Sequence, residues 1–152
     1  MNLTEESKVV KWPETHYAFV ERVGPFMENA GQAWQAAHAL VEELKKHNEI
    51  MGYMSLYKRR ELVYRAGFAL GRQAVVLPEG LRYERFPGGA YRRFVLTGPY
   101  TQLPEASKMV WSMIEQEGIA LRDDFAIENY LNSPQNTPAA ELITEILIPV
   151  SE

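Results

Sequence analysis

The stretch YAFVERVGPF at residues 17–26 is matched by YRRFVLTGPY at residues 91–100, almost half of the chain further on. Each copy is a run typical of a β-strand, followed by Gly-Pro, an aromatic residue and a stretch with helical spacing. A second match links ELV at residues 61–63 with ELI at residues 141–143, and each leads into another strand-like run. We therefore predict a single domain over residues 1–152, built from two repeat halves at about residues 8–72 and 80–150.

The hydrophobic pattern predicts the same order of elements in both halves. Apolar stripes at helical spacing indicate helices at residues 30–46 and 103–117, and short alternating runs indicate strands on both sides of each helix. Each half is thus strand, strand, helix, strand, strand. This order predicts an α+β fold in which two pseudo-symmetric repeats form a largely antiparallel, curved sheet with two helices. The crease between the repeats is the expected place for a central ligand cleft.

Composition excludes several classes of function. The 152 residues include 16 basic and 20 acidic side chains, for a formal net charge of -4, so direct binding of nucleic acid is not expected. The chain has no cysteine, which excludes disulfides, thiolate metal sites and a cysteine nucleophile. The N-terminus carries acids where a signal peptide would be apolar, and no apolar run is long enough to span a bilayer. We expect a cytoplasmic protein without membrane contact.

The remaining chemical motifs predict neither a metal nor a cofactor. The 3 histidines do not have the spacing of metal ligands, and no serine-histidine-aspartate signature or glycine-rich phosphate loop is present. Any function must therefore come from ordinary polar and aromatic side chains.

The strand predicted at residues 125–131 carries the main candidate functional groups. Alternation places Glu128 and Tyr130 on one side of this strand, opposite the apolar side chains that we expect to meet the helices. Two interpretations of Glu128 remain open: a solvated surface acid, or a carboxylate in a pocket. In a pocket, Glu128 would pair with a cation or take a proton from water.

Aromatic residues are the candidate walls of such a pocket. If the two halves share one strand register, Tyr57 corresponds to Tyr130, whereas a shift by one residue makes Leu56 the counterpart. Trp111 lies beside the apolar stripe of the second predicted helix and is another candidate wall. Aromatic walls around one acid suit a flat, lipophilic, cationic ligand. The predicted ligand-binding residues are Glu128, Tyr130, Tyr57 and Trp111.

The motifs, taken in order, resemble the GyrI-like small-molecule-binding domain, which is the effector-binding module of transcription regulators such as Rob and BmrR. They are WPE at residues 12–14, YAFVER and GPF at 17–26, GGAY at 88–91, GPYTQL at 98–103, IENYLNSP at 127–134 and TEILIPV at 144–150. Together they cover nearly the whole chain. One departure is that many members have a histidine before the second Gly-Pro, where this chain has Leu96 and Thr97.

The resemblance implies a function and two alternatives. It implies a domain that binds lipophilic, often cationic compounds, as in multidrug binding or effector sensing for transcription regulation, with Glu128 as the pocket glutamate and Tyr130 as its nearby aromatic. Some stand-alone members are similar to hydrolases that open cyclopropane toxins, and in that case Glu128 would be the catalytic general base. Other stand-alone members are linked to DNA gyrase, so the expected protein partners are a separate regulator or gyrase. The sequence leaves open whether the protein only binds its ligand or also turns it over.

Overall fold

The computed structural model describes residues 1–151 and has an α+β fold. Within these residues, two helices and nine strands follow each other along the chain: β1 (Asn2–Leu3), β2 (Lys8–Trp12), β3 (Thr15–Val23), α1 (Phe26–Lys45), β4 (Ile50–Lys58), β5 (Val63–Leu70), β6 (Arg82–Phe86), β7 (Gly89–Thr97), α2 (Leu103–Gln116), β8 (Ala126–Tyr130) and β9 (Ile143–Pro149). The strand pairs within each unit described below are antiparallel. The predicted fold class is therefore confirmed.

The chain divides into two compact units. The first unit is Pro13–Gly88, and the second unit is Met1–Trp12 together with the chain from Gly89 onward. In the first unit the strand order is β4, β5, β3, β6, and α1 packs against β3 and β5. In the second unit the order is β8, β9, β7, with β1 and β2 both paired to β7, and α2 contacts β7 and β9.

Two edge strands, β2 and β6, pair with strands from the other predicted half of the sequence. β2 begins the first predicted repeat half but pairs with β7 of the second unit, where Val10 lies opposite Tyr91. β6 begins the second predicted half but pairs with β3 of the first unit, where Tyr17 lies opposite Glu84. Each unit is thus completed by a strand from the other half of the sequence.

The helices bury the faces that their apolar spacing predicts. The buried residues of α1 are Ala33, Ala37, Val41 and Leu44, and those of α2 are Leu103, Ala106, Val110, Trp111 and Ile114. α1 begins four residues before the predicted start, because the carbonyl of Pro25 already accepts the backbone N–H groups of Glu28 and Asn29. None of the helices in the described part of the chain combines the length and apolarity needed to cross a membrane.

The Gly-Pro turn that ends β3 requires glycine for a steric reason. Gly24 has a φ of 134°, which L side chains rarely adopt, and an added Cβ would lie 2.8 Å from the Asn29 side-chain nitrogen. Its N–H donates to the carbonyl of Leu62 at 2.9 Å, which ties the turn to the end of the neighbouring strand pair. Gly98 makes the same bond to Leu142 at 2.8 Å, so both units turn from strand to helix in one way.

Candidate functional site

β8 holds Glu128 and Tyr130 on one side by strand alternation. In the register with β9, Glu128 lies opposite Ile146 and Tyr130 lies opposite Thr144. The Tyr130 hydroxyl donates to Glu128 Oε1 at 2.9 Å. The two residues singled out on this strand therefore form one hydrogen-bonded pair in the second unit.

Glu128 is a desolvated carboxylate without a charged partner. Burial raises its pKa, and the hydrogen bond from Tyr130 opposes this shift only in part. Within residues 1–151, no lysine, arginine or histidine forms an ion pair with it. Its side chain nevertheless remains partly accessible to solvent. Glu128 is therefore not a fully solvated acid, because burial removes part of its contact with solvent and no described basic side chain pairs with it.

Tyr100 adds an aromatic ring that the pattern of the predicted strand did not reveal. It begins a short 3-10 turn, Tyr100–Gln102, directly after Gly98-Pro99. Its ring meets the ring of Tyr130 edge-on, with centroids 5.4 Å apart and an interplanar angle of 64°. Its hydroxyl donates to the carbonyl of Asn132 at 3.3 Å, and burial raises the pKa of this phenol. The signal that could have identified it is the aromatic residue that follows Gly-Pro in both repeats.

Trp111 lies in the buried face of α2, where only 8% of its surface is exposed. It follows Val110 and precedes Ile114 on that face, so the apolar stripe is wider than its spacing suggests. Its role as a ligand wall stays a prediction.

Tyr57 lies in the first unit and is 4% exposed. Its ring meets Phe26, the aromatic after the first Gly-Pro, at 5.7 Å and 77°. It pairs with Tyr64, the residue after Val63, and Tyr130 pairs with Thr144, the residue after Ile143. Because residues 61–63 and 141–143 match in sequence, Tyr57 is the counterpart of Tyr130, and the alternative counterpart Leu56 is excluded.

The counterpart of Glu128 in the first unit is Ser55, two residues before Tyr57. The indole N–H of Trp34, on α1, lies 3.0 Å from both the Ser55 and the Tyr64 hydroxyl oxygens. This side of β4 therefore faces α1. The corresponding side of β8 carries Glu128 and Tyr130. That the apolar side of β8 meets α2 stays a prediction.

The geometry thus brings together Glu128, Tyr130 and Tyr100 in the second unit, and Trp34, Ser55 and Tyr64 in the first. Within the described residues, no group of three or more histidine, cysteine, aspartate or glutamate side chains could hold a metal ion. What the second unit offers is one desolvated acid beside two aromatic rings.

Comparison with known proteins identifies the family of this fold. The family model of the GyrI-like small molecule binding domain matches residues 5–151. This chain belongs to the GyrI-like family. Because the match spans almost the entire sequence, the chain is a small-molecule-binding domain of the GyrI-like type. No curated protein sequence matches it.

Solved structures share the GyrI-like fold at low sequence identity. The C-terminal domain of EcmrR aligns with a TM-score of 0.78 and 18% identity, over 100% of this chain and 99% of that one. SAV2435 bound to tetraphenylphosphonium aligns with a TM-score of 0.77 and 15% identity, over 96% and 94%. A hydrolase from Listeria innocua aligns with a TM-score of 0.62 and 14% identity, over 96% and 92%. At such identities the likeness establishes the fold.

Proposed function

We propose that this GyrI-like domain binds a lipophilic cation beside Glu128. The observation that carries the proposal is the carboxylate itself, which is desolvated, partly accessible and lacks an ion pair among the described residues. An ionised carboxylate in such surroundings is costly unless a positive charge comes close to it. A cationic ligand would supply that charge.

The aromatic neighbours support the same ligand class. Tyr130 and Tyr100 present two rings at an angle to each other beside the acid. Ring faces attract cations and also cover apolar ligand surface. Trp111, in the same unit, is retained as a predicted further wall, and a ligand role for Tyr57 stays a prediction from the sequence. Among the structural neighbours, SAV2435 was solved with tetraphenylphosphonium, which is a lipophilic cation of this kind.

The decisive experiment is calorimetric titration of the wild type and Glu128→Gln with tetraphenylphosphonium and with the neutral analogue triphenylphosphine oxide. We expect the variant to lose about tenfold or more in affinity for the cation, because a desolvated charge pair is removed, and to keep its affinity for the neutral compound. Glu6→Gln, at an exposed position, is the matched control. Equal cation affinity in wild type and Glu128→Gln would refute the proposal.

A second function, hydrolysis of reactive electrophiles, is favoured by the raised pKa of Glu128. A carboxylate whose pKa moves towards neutrality is a better general base for water. One structural neighbour is described as a hydrolase. Incubating the wild type and Glu128→Gln with a strained cyclopropane electrophile separates the two functions. Ring-opened product that is formed by the wild type and not by Glu128→Gln indicates turnover. Stoichiometric binding without product excludes turnover. Coupling to a transcription regulator or to DNA gyrase stays a prediction from the sequence.

A further inference from the structure

Thr144 carries a buried hydroxyl that has no hydrogen-bond partner within the described residues. The residue is 0% exposed, and its Oγ1 is left without a donor or an acceptor. A buried hydroxyl without a hydrogen-bond partner destabilises the folded state and is uncommon in native proteins, so it calls for an explanation. Thr144 lies directly opposite Tyr130 and diagonally from Glu128 on the same side of the sheet. The unsatisfied hydroxyl therefore belongs to the surroundings of the acid.

In the first unit, the hydroxyl groups at the corresponding positions have hydrogen-bond partners. Ser55 corresponds to Glu128, and Tyr64 corresponds to Thr144, because the pairs Tyr57–Tyr64 and Tyr130–Thr144 are equivalent. There, the Ser55 and Tyr64 hydroxyl groups are hydrogen-bonded to each other at 2.7 Å, and the Trp34 indole nitrogen lies 3.0 Å from both oxygens. One N–H donor thus serves both positions.

The second unit has no tryptophan at the position of Trp34. In α1 the buried Ala33 precedes Trp34, and in α2 the buried Ala106 precedes Ser107. A serine side chain is much shorter than an indole and carries no N–H. The position that supplies the shared donor in the first unit therefore does not supply one to Thr144.

We infer that the ligand itself supplies this donor: the preferred cation is a protonated amine whose N–H groups are shared by Glu128 and Thr144. This inference rests on the proposed function and narrows its ligand class. Carboxylate and hydroxyl oxygens are both acceptors, and an ammonium group has the several donors needed to serve them. Quaternary ammonium and phosphonium ions have no N–H and leave Thr144 unsatisfied. Because Thr144 is covered, the ligand reaches it only when a neighbouring side chain turns, and Tyr130 is its cross-strand neighbour.

The test compares two cations that share one hydrocarbon body, diphenylmethylammonium and its N,N,N-trimethyl derivative. Both are titrated into the wild type, Thr144→Val and the control Thr97→Val, which alters a partly exposed threonine of β7. Removal of a charge-assisted hydrogen bond predicts a loss of roughly tenfold in affinity for the primary ammonium ion in Thr144→Val. Affinity for the trimethyl ion should stay unchanged, and Thr97→Val should resemble the wild type for both.

Stability provides the readout that is independent of the ligand. Valine has the shape of threonine without the unsatisfied hydroxyl, so unliganded Thr144→Val should melt at the same temperature as the wild type or higher. The inference is overturned if Thr144→Val binds both cations like the wild type, or if it weakens both equally. If the wild type binds neither cation, the proposed function fails and the inference fails with it. Binding of both cations without an effect of Thr144→Val removes only the inference.

Discussion

At the scale of single residues, two glutamates show how surroundings decide the state of an acid. Glu21 is partly buried, which by itself raises its pKa, but Arg65 at 2.8 Å and Arg82 at 3.1 Å outweigh this effect and lower the pKa. Glu128 is desolvated more strongly than Glu21, and only the hydrogen bond from the Tyr130 hydroxyl opposes the resulting rise in its pKa. Glu21 is therefore a structural acid held by two arginines, whereas Glu128 is the acid that we propose binds the ligand.

The raised pKa of Glu128 predicts a pH dependence of stability. Folding favours its protonated form, so its contribution to stability is complete at acid pH and is lost as the pH rises through its pKa in the folded protein. Glu128→Gln cannot ionise. We expect its melting temperature to match that of the wild type in acid and to exceed it increasingly towards neutral pH, as followed by circular dichroism without ligand.

The control for this effect is Glu6→Gln, which removes an exposed acid. The difference in melting temperature between Glu6→Gln and the wild type should not increase with pH. A difference between Glu128→Gln and the wild type that is constant over the whole pH range would contradict the assigned desolvation.

At the scale of elements, the turn from strand to helix depends on glycine geometry. Gly24 has a positive φ and too little room for a Cβ, while Gly31, within α1, has nothing within 4 Å of an added Cβ. Gly24 lies in the turn before α1 and Gly31 lies within α1, and only Gly24 has a backbone conformation that disfavours a side chain. This contrast makes them a matched pair for mutation.

We predict that Gly24→Ala destabilises the protein by about 1–3 kcal/mol, because alanine is strained at this φ and meets Asn29. Gly31→Ala should stabilise it by up to about 1 kcal/mol, because alanine is the better helix former. Urea unfolding of both variants measures the difference. Equal effects of the two substitutions would mean that the turn tolerates a side chain.

At the scale of the whole molecule, the pairing of β2 and β6 does not follow the division of the sequence into two halves. A cut in the middle of the chain leaves β2 in a fragment without β7, and removes β6 from β3. A cut that follows the compact unit keeps β3, β4, β5 and β6 together. Strand pairing, and not sequence order, therefore defines Pro13–Gly88 as the compact unit.

We predict that fragment 13–88 retains more antiparallel sheet and a more cooperative urea transition than fragment 1–76, which is similar in length and lacks β6. Far-UV circular dichroism and urea titration compare the two. A sharper transition in fragment 1–76 would show that the exchanged edge strands contribute little to folding.

The sequence alone determined the α+β class, the two helices and the Gly-Pro turns. Each of these depends on residues close together in the chain, through periodicity and through the backbone freedom of glycine. It also identified Glu128 and Tyr130 as neighbours, since two residues apart on a strand share a side.

Only the tertiary structure decided the rest. The desolvation of Glu128, the ring of Tyr100 beside Tyr130 and the unsatisfied hydroxyl of Thr144 depend on β8, β9 and the turn before α2 packing together. The exchange of β2 and β6 depends on strand partners far away in sequence. Local sequence patterns do not predict such partners, because strand pairing and desolvation involve residues that come into contact only when the chain has folded.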